Sequence, residues 1–275
     1  MRIENRIWRA GSESVGAREV AEEVPVALVY DASTEAVMMA TPDDLEDFAY
    51  GFSLNEGLIG AIDEVQKLDI VTGDHGIEAR MWLRPDRGRA VAARRRSRTG
   101  PTGCGLCGIE SLEDAVRLRG RIEADLLVSP GDIATAVTAL EDHQPLGRLT
   151  RAVHAAGLWI PGEGIAVVRE DVGRHNALDK LAGALARQGI EPRQGAVVLT
   201  SRVSVEMVQK VVAMGAPVLI AISAPTALAL RTAEAAGLTV VAVARGDGFE
   251  VFTHARRICG GDGALSQASG SRVFE

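Results

Sequence analysis

From Gly164 onward the chain alternates between short apolar runs and amphipathic stretches, and this restricts its fold more than any other feature. The runs over 165–169, 196–200, 218–222 and 239–243 are short and almost wholly apolar, which predicts buried strands. Between them, 174–187, 203–214 and 226–236 carry the spacing of helices. Apolar strands separated by helices predict an α/β fold whose mainly parallel sheet has helices on both faces.

The first 96 residues have a different texture. Val24 to Ala40 predicts a hairpin turning at Asp31-Ala32-Ser33, and Ile7-Trp8 marks one further strand in an otherwise weakly patterned start. Thr41-Pro42-Asp43-Asp44 predicts a helix start with Thr41 as cap. Leu45, Phe48, Ala49 and Phe52 then share one helical face, and the helix ends near Gly57. Strands are predicted near 64–72, 76–83 and 88–96. Residues 1–96 thus read as a smaller, mainly antiparallel β subdomain with one helix. Residues 111–259 form the α/β subdomain, where Ser111 with Asp114 and Ser129-Pro130 with Asp132 each signal a helix start. The Gly/Ser-rich tail, 260–275, is expected to be mobile.

Between the subdomains, 97–110 contains Gly103-Cys104-Gly105-Leu106-Cys107-Gly108. Glycines before, between and after the two cysteines predict a mobile loop that presents two thiols outward. Arg94, Arg95, Arg96 and Arg98 precede it, and nearby cations favour the thiolate, which is the nucleophile and the metal ligand. Zinc is not expected: no His-x-Glu precedes Cys104, His75-Gly76-Ile77-Glu78 has the wrong spacing, and the remaining cysteine, Cys259, adjoins the tail. A net charge of −7 argues against a nucleic-acid-coating protein. No apolar run is long enough to span a bilayer, so no membrane insertion is expected. Three cysteines and an N-terminus without a signal-peptide core predict a cytoplasmic protein lacking structural disulfides.

Ligands of open parallel sheets bind beyond the carboxyl ends of the strands. Those ends are Glu170-Asp171, Thr200-Ser201-Arg202, Ser223-Ala224-Pro225-Thr226 and Arg245-Gly246-Asp247-Gly248. Three precede helices, whose free N–H groups attract anions, and Arg202 and Arg245 are placed to clamp phosphate. Taken singly, Thr200, Ser201, Ser223 and Thr226 read rather as helix caps; taken together, the ends predict a pocket for an anionic ligand. His175, beside Gly173 at a strand end, is a candidate ligand contact, as is His154, whereas Asp179-Lys180 reads as a solvated helix face.

With these residues in view, the chain resembles the formate dehydrogenase accessory sulfurtransferases, the FdhD family, from about residue 18 to 258. The resemblance is carried by Glu23-Val24-Pro25, Gly51-Phe52 with Asn55-Glu56-Gly57, the Gly103–Gly108 loop and Glu170 through Lys180. It continues through Ser201-Arg202, Glu206-Met207-Val208 with Lys210, Ser223 to Thr226, and Phe252-Thr253-His254. It implies a cytidine-deaminase-like fold without the zinc site, a cytoplasmic homodimer, and a carrier that takes persulfide sulfur from a cysteine desulfurase. That sulfur would pass to the molybdenum cofactor, bis(molybdopterin guanine dinucleotide), before its insertion into the formate dehydrogenase catalytic subunit. By position, Cys104 matches the family's persulfide cysteine and Cys107 its companion. Val243, Ala244, Arg245, Gly246, Asp247 and Gly248 match its cofactor-binding stretch, where GDP is an expected occupant. Thr200, Ser201, Arg202, Ser223, His175 and Asp171 complete the expected cofactor contacts. The competing readings are a non-catalytic cofactor-binding chaperone and a zinc hydrolase with an unusual ligand set.

Overall fold

The computed structural model describes residues 1–97, 118, 120–245 and 248–259. Cys104, Cys107, the expected mobile loop, the Ser111 helix start, Gly246, Asp247 and the tail lie outside the described residues.

The chain opens with a hairpin, β1 (Arg2–Arg9) and β2 (Ser12–Glu19), where a single strand is predicted. Its two-residue turn holds Ala10 at φ +50° and Gly11 at +84°, the left-handed pair that short hairpins need. Ala-Gly is a weaker turn signal than Asn-Gly, which is why the pattern hides it. Next come β3 (Val24–Tyr30), β4 (Ser33–Ala40), α1 (Leu45–Asn55), β5 (Val65–Gly73) and β6 (Gly76–Leu83). These strands form a sheet in the order β4-β3-β6-β5, antiparallel except for the β3–β6 pair. As the spacing predicts, Leu45, Phe48, Ala49 and Phe52 of α1 pack against Val26, Leu28, Ala79 and Met81 of this sheet.

Two local expectations fail here. The predicted strand over 88–96 is part of a helix, α2 (Pro85–Ser97), entered through Pro85 with Asp86 in its first turn. Thr41 does not cap α1: Asp44 occupies that position without a side-chain cap bond, and Thr41 is buried elsewhere.

The second half contains α3 (Pro130–Asp142), α4 (Pro145–Thr150), β7 (His154–Ile160), β8 (Gly164–Asp171), α5 (Arg174–Gln188) and β9 (Ala196–Leu199). It continues with α6 (Val205–Met214), β10 (Val218–Ala221), α7 (Ala227–Ala236), β11 (Thr239–Arg245) and β12 (Gly248–Thr253). The six strands lie in the order β12-β11-β10-β9-β7-β8. β9, β10 and β11 are parallel, while β7, β8 and β12 join by antiparallel pairing. The α/β fold therefore has its parallel strands at the centre. The flanking β7 and β12 are absent from the sequence reading. One face of the sheet packs against α5, α6 and α7, and the other against α3. Ser129 and Asp132 form the expected reciprocal cap at the start of α3.

Helix α1 also touches α5, along the face opposite its own sheet. Asp47, Gly51 and Asn55 recur every four residues, as do Asp179, Gly183 and Arg187 on α5, so each set makes one ridge. The ridges run antiparallel: Asp47 meets Arg187 at 2.5 Å and Asn55 donates to Asp179 at 2.7 Å. Between these ends the two glycines bring backbone against backbone. A Cβ on Gly51 would lie 1.7 Å from the Asp179 carbonyl oxygen, and one on Gly183 would lie 1.9 Å from that of Asp47. Any side chain at either position would force the helices apart. No helix among the described residues is long and apolar enough to cross a membrane.

Candidate functional site

Because β7 is antiparallel to both β8 and β9, the ends of β8, β9, β10 and β11 share one sheet edge with the starts of β7 and β12. The structure thus brings together Asp171, His154, Thr200, Ser223, Arg245 and Gly248 along that edge. Backbone bonds stitch it: Ile222 N–H to Leu199 at 3.0 Å, Thr226 N–H to Val203 at 3.0 Å and Val243 N–H to Ser223 at 3.3 Å.

The cap reading holds for Thr226, whose side chain accepts from Ala229 N–H. It fails for Thr200, whose hydroxyl accepts from Ala155 N–H at 2.9 Å and lies 3.5 Å from His154 Nδ1. Thr200 ties β9 to β7 and sets the position of His154. Ser201 is buried, its hydroxyl donating to the Arg202 carbonyl, whereas Arg202 and Arg245 are exposed at the edge.

Asp171, expected at the ligand, is instead an internal anchor. Its side chain and that of Lys180 are both 0% exposed, and they pair at 2.7 Å. The Asp171 carboxylate also accepts from Thr41 N–H, Gly173 N–H and Asn176 Nδ2. Lys180 donates to the Thr41 carbonyl at 2.9 Å, and Thr41 Oγ1 accepts from Val172 N–H. A carboxylate saturated by four donors contacts no ligand. It fixes the turn from β8 into α5, and that turn delivers Arg174 and His175. Asp179 is buried as well, bonded to both Asn55 and Lys210, the latter at 2.6 and 2.7 Å. The Asp179-Lys180 pair expected on a solvated face is thus wholly internal, and burial pushes the Asp179 carboxyl up despite Lys210 and Asn55.

Arg174 and His175 are where this anchoring leads. Arg174 Nε and His175 Nε2 are shielded from solvent and make no hydrogen bond to the described residues. A shielded polar atom without a partner costs free energy that a ligand can return. Burial first, then the charges of Arg174 and Lys210, bring the His175 pKa down to about 4, with Glu206 and Glu56 opposing. Burial and Arg174 likewise lower His154. Two neutral imidazoles therefore flank one guanidinium at the sheet edge. Because the fold holds His175 below 6.5, proton uptake there destabilises the protein as pH falls from about 6.5 towards about 4. Sequence reading did not select Arg174, Lys210, Asn55 or Glu206 as functional; the available signal was polar residues at positions where a helix faces another helix.

On the α3 side of the same edge a cavity of about 220 Å³ is lined by Ile133, Ala134, Val137, Ala244, Arg245, Gly248 and Phe249. Ala244, Arg245 and Gly248 belong to the expected cofactor stretch. They reach this face through a bulge in the β11–β12 ladder at which Val243 adopts φ +53°. A β-branched residue rarely takes this conformation, which costs about 1–3 kcal/mol, and bulges re-aim side chains. Here the bulge turns Ala244 from the α5–α7 face, which Ala242 occupies, to the α3 face. A second cavity, of about 410 Å³, is walled by Asp43, Asp44, Glu170 and His143 among others, an acidic lining that disfavours an anion.

Comparison with known proteins shows the family. The sequence profile of the FdhD/NarQ family matches residues 21–259. The Sulfur carrier protein FdhD of Agrobacterium fabrum is 54% identical over 258 residues, covering 94% of this chain and 95% of that protein. The protein of the same name from Brucella abortus is 55% identical over 243 residues, covering 88% and 90%. A crystal structure described as a formate dehydrogenase accessory protein, from Desulfotalea psychrophila, superposes with a TM-score of 0.73 at 26% identity, covering 94% of this chain and 99% of that one. On its sequence, along nearly its whole described length, this chain belongs to the FdhD/NarQ family.

Proposed function

We propose that this protein is a sulfur carrier for formate dehydrogenase, taking persulfide sulfur from a cysteine desulfurase on Cys104 and handing it to the molybdenum cofactor. The observation that carries this reading is the 54% identity, across almost the entire chain, to a relative named Sulfur carrier protein. The sheet edge supports the second half of the task. Its exposed Arg202 and Arg245, the Arg174 Nε that meets no partner among the described residues, and the start of α5 suit the phosphates of a guanine dinucleotide cofactor. The apolar cavity beside Arg245 suits a planar base. The cofactor is then the substrate held at the edge, and the formate dehydrogenase catalytic subunit receives it.

The test is to incubate the full chain with a cysteine desulfurase and radiolabelled cysteine. Label should appear on the protein in a form that a reductant releases, and should move to added molybdenum cofactor. A chain that never acquires label overturns the reading.

For the nucleotide end, Arg174→Ala should weaken GDP binding by about ten- to a hundredfold, the scale of one charged hydrogen bond. The same substitution should raise the pKa of His175 from about 4 towards 6.5, since it removes a neighbouring cation. Calorimetry and imidazole NMR titration check the two halves. Unchanged GDP affinity together with a raised His175 pKa would place Arg174 as described but remove it from the ligand.

A further inference from the structure

Phosphate accounts for Arg174 but not for the residues beside it. β8 and β9 run in the same direction, since β7 is antiparallel to both, so α5 and α6 leave the sheet edge side by side and parallel. Lys210 of α6 meets Asp179 of α5 at 2.6 Å. One turn nearer the edge, four residues back in each helix, Glu206 stands opposite His175. The two helix starts are left open. Gly173 precedes α5 and has no side chain, and Ser204 precedes α6 without making the cap bond usual for serine there. The Ser204 hydroxyl lies beside the Glu206 carboxylate but lacks hydrogen-bond geometry to it. Its Oγ, like His175 Nε2, is shielded from solvent and meets no partner among the described residues. Buried polar atoms in folded proteins are nearly always paired, so orphans on two facing helices mark a place for the polar atoms of a ligand.

The charge at this place is wrong for phosphate. Against the upward push of burial, the Ser204 dipole, the backbone N–H of Glu206, His175 and Arg174 hold the Glu206 carboxyl below the usual carboxylate range. A carboxylate only accepts hydrogen bonds, whereas the Ser204 hydroxyl and a neutral imidazole with its proton on Nε2 donate them. The cluster therefore offers a two-oxygen acceptor with a donor on the same helix and another on the facing one. An aminopyrimidinone ring carries the complement along one edge: a ring N–H and an amino group, flanked by a ring nitrogen and a carbonyl oxygen. Pterin and guanine share this edge.

We propose that Glu206, His175 and Ser204 form the subsite for the pterin of the cofactor, with Glu206 accepting from its ring N–H and its amino group. Guanine is assigned elsewhere because the apolar cavity beside Arg245 opens on the α3 face of the sheet, whereas α5 and α6 cover the other face. The dinucleotide then crosses the sheet edge, pterin on one side and guanine on the other, with its phosphates between. The class of ligand rests on the sulfur-carrier reading.

Pterins fluoresce, so their binding to the full chain can be titrated directly. Hydroxymethylpterin should bind. Lumazine, which has a carbonyl where pterin has its amino group, should bind about ten- to a hundredfold more weakly, the scale of a hydrogen bond to a charged group. Glu206→Gln should weaken pterin binding and erase the preference over lumazine, because an amide presents an N–H where the second carboxylate oxygen was. GDP affinity should not fall in this variant. Equal affinity of the wild-type chain for pterin and lumazine would overturn the proposal. So would a Glu206→Gln variant that loses GDP affinity and keeps pterin affinity, which would put guanine at Glu206. A chain that binds pterin selectively yet takes no sulfur from a desulfurase would remove the carrier reading and leave the subsite. A chain that takes sulfur and ignores pterin would do the reverse.

Discussion

Replacing Cys104 by alanine is expected to reduce formate dehydrogenase maturation to background while leaving the stability of the fold unchanged. The chemistry needs one thiolate that is accessible and sufficiently ionised. On the sulfur-carrier proposal, the Cys104 thiolate attacks the outer sulfur of the desulfurase persulfide; that S–S bond breaks, the desulfurase cysteine leaves as thiolate, and the new S–S bond sits on Cys104. No net oxidation occurs, and alanine has no atom to form the bond. Cys104 has glycine on both sides and four arginines shortly upstream, which favours access and ionisation. On the same proposal Cys107 is the companion, whose thiolate attacks the Cys104 sulfur and releases the outer one as hydrosulfide, leaving a disulfide. Cys259 has no cysteine near it in sequence, so Cys259→Ala should keep both the sulfur adduct and maturation. Peptide mass spectrometry after desulfurase treatment and a complementation assay read the two quantities. Wild-type maturation by Cys104→Ala would leave a cofactor-binding chaperone as the better reading.

The largest effect on stability is expected from Lys180→Met. Methionine nearly fills the volume of the lysine, so packing changes little and charge is what is lost. Asp171 would remain fully buried beside three neutral donors, Thr41 N–H, Gly173 N–H and Asn176 Nδ2, with no cation. Breaking a buried ion pair from one side costs about 3–5 kcal/mol, because the remaining charge is stranded away from water. Domains of this kind are stable by only about 5–15 kcal/mol, so the variant should sit near the threshold of folding. The urea midpoint should fall with the slope unchanged. A loss below about 1 kcal/mol would mean that Asp171 finds water or another partner once Lys180 is gone. Because Asp171 fixes the turn before α5, the folded remainder should also bind an anionic ligand less well than wild type.

Local pattern determined a good deal of this protein. The four apolar runs after Gly164 are all strands: β9, β10 and β11 are the covered centre of the sheet, where strands are short and apolar, whereas β8 lies at its edge and is only partly buried. The buried face of α1 and the reciprocal cap of α3 follow from spacing and from side chains that bond within one turn. Segment 88–96 was misleading because its alanines and arginines carry no clear period; the better signal was Pro85-Asp86, which opens a helix. The order of strands around the edge was hidden, since β7 follows a short helix and pairs antiparallel to both its neighbours, β8 and β9.

The interior of the site belongs to tertiary structure alone. Asp179 finds Lys210 31 positions away and Asn55 124 positions away, and no local pattern separates such a pair from two charges in water. What decides is the approach of α1 to α5 across Gly51 and Gly183, which closes the space, expels solvent and leaves each charge only its partner. Residue type is local, so the sequence marked Arg202 and Arg245 as candidates for an anion but passed over Arg174. Which polar residues face outward and which are spent holding the others in place is a matter of burial, and burial exists only once the helices have met.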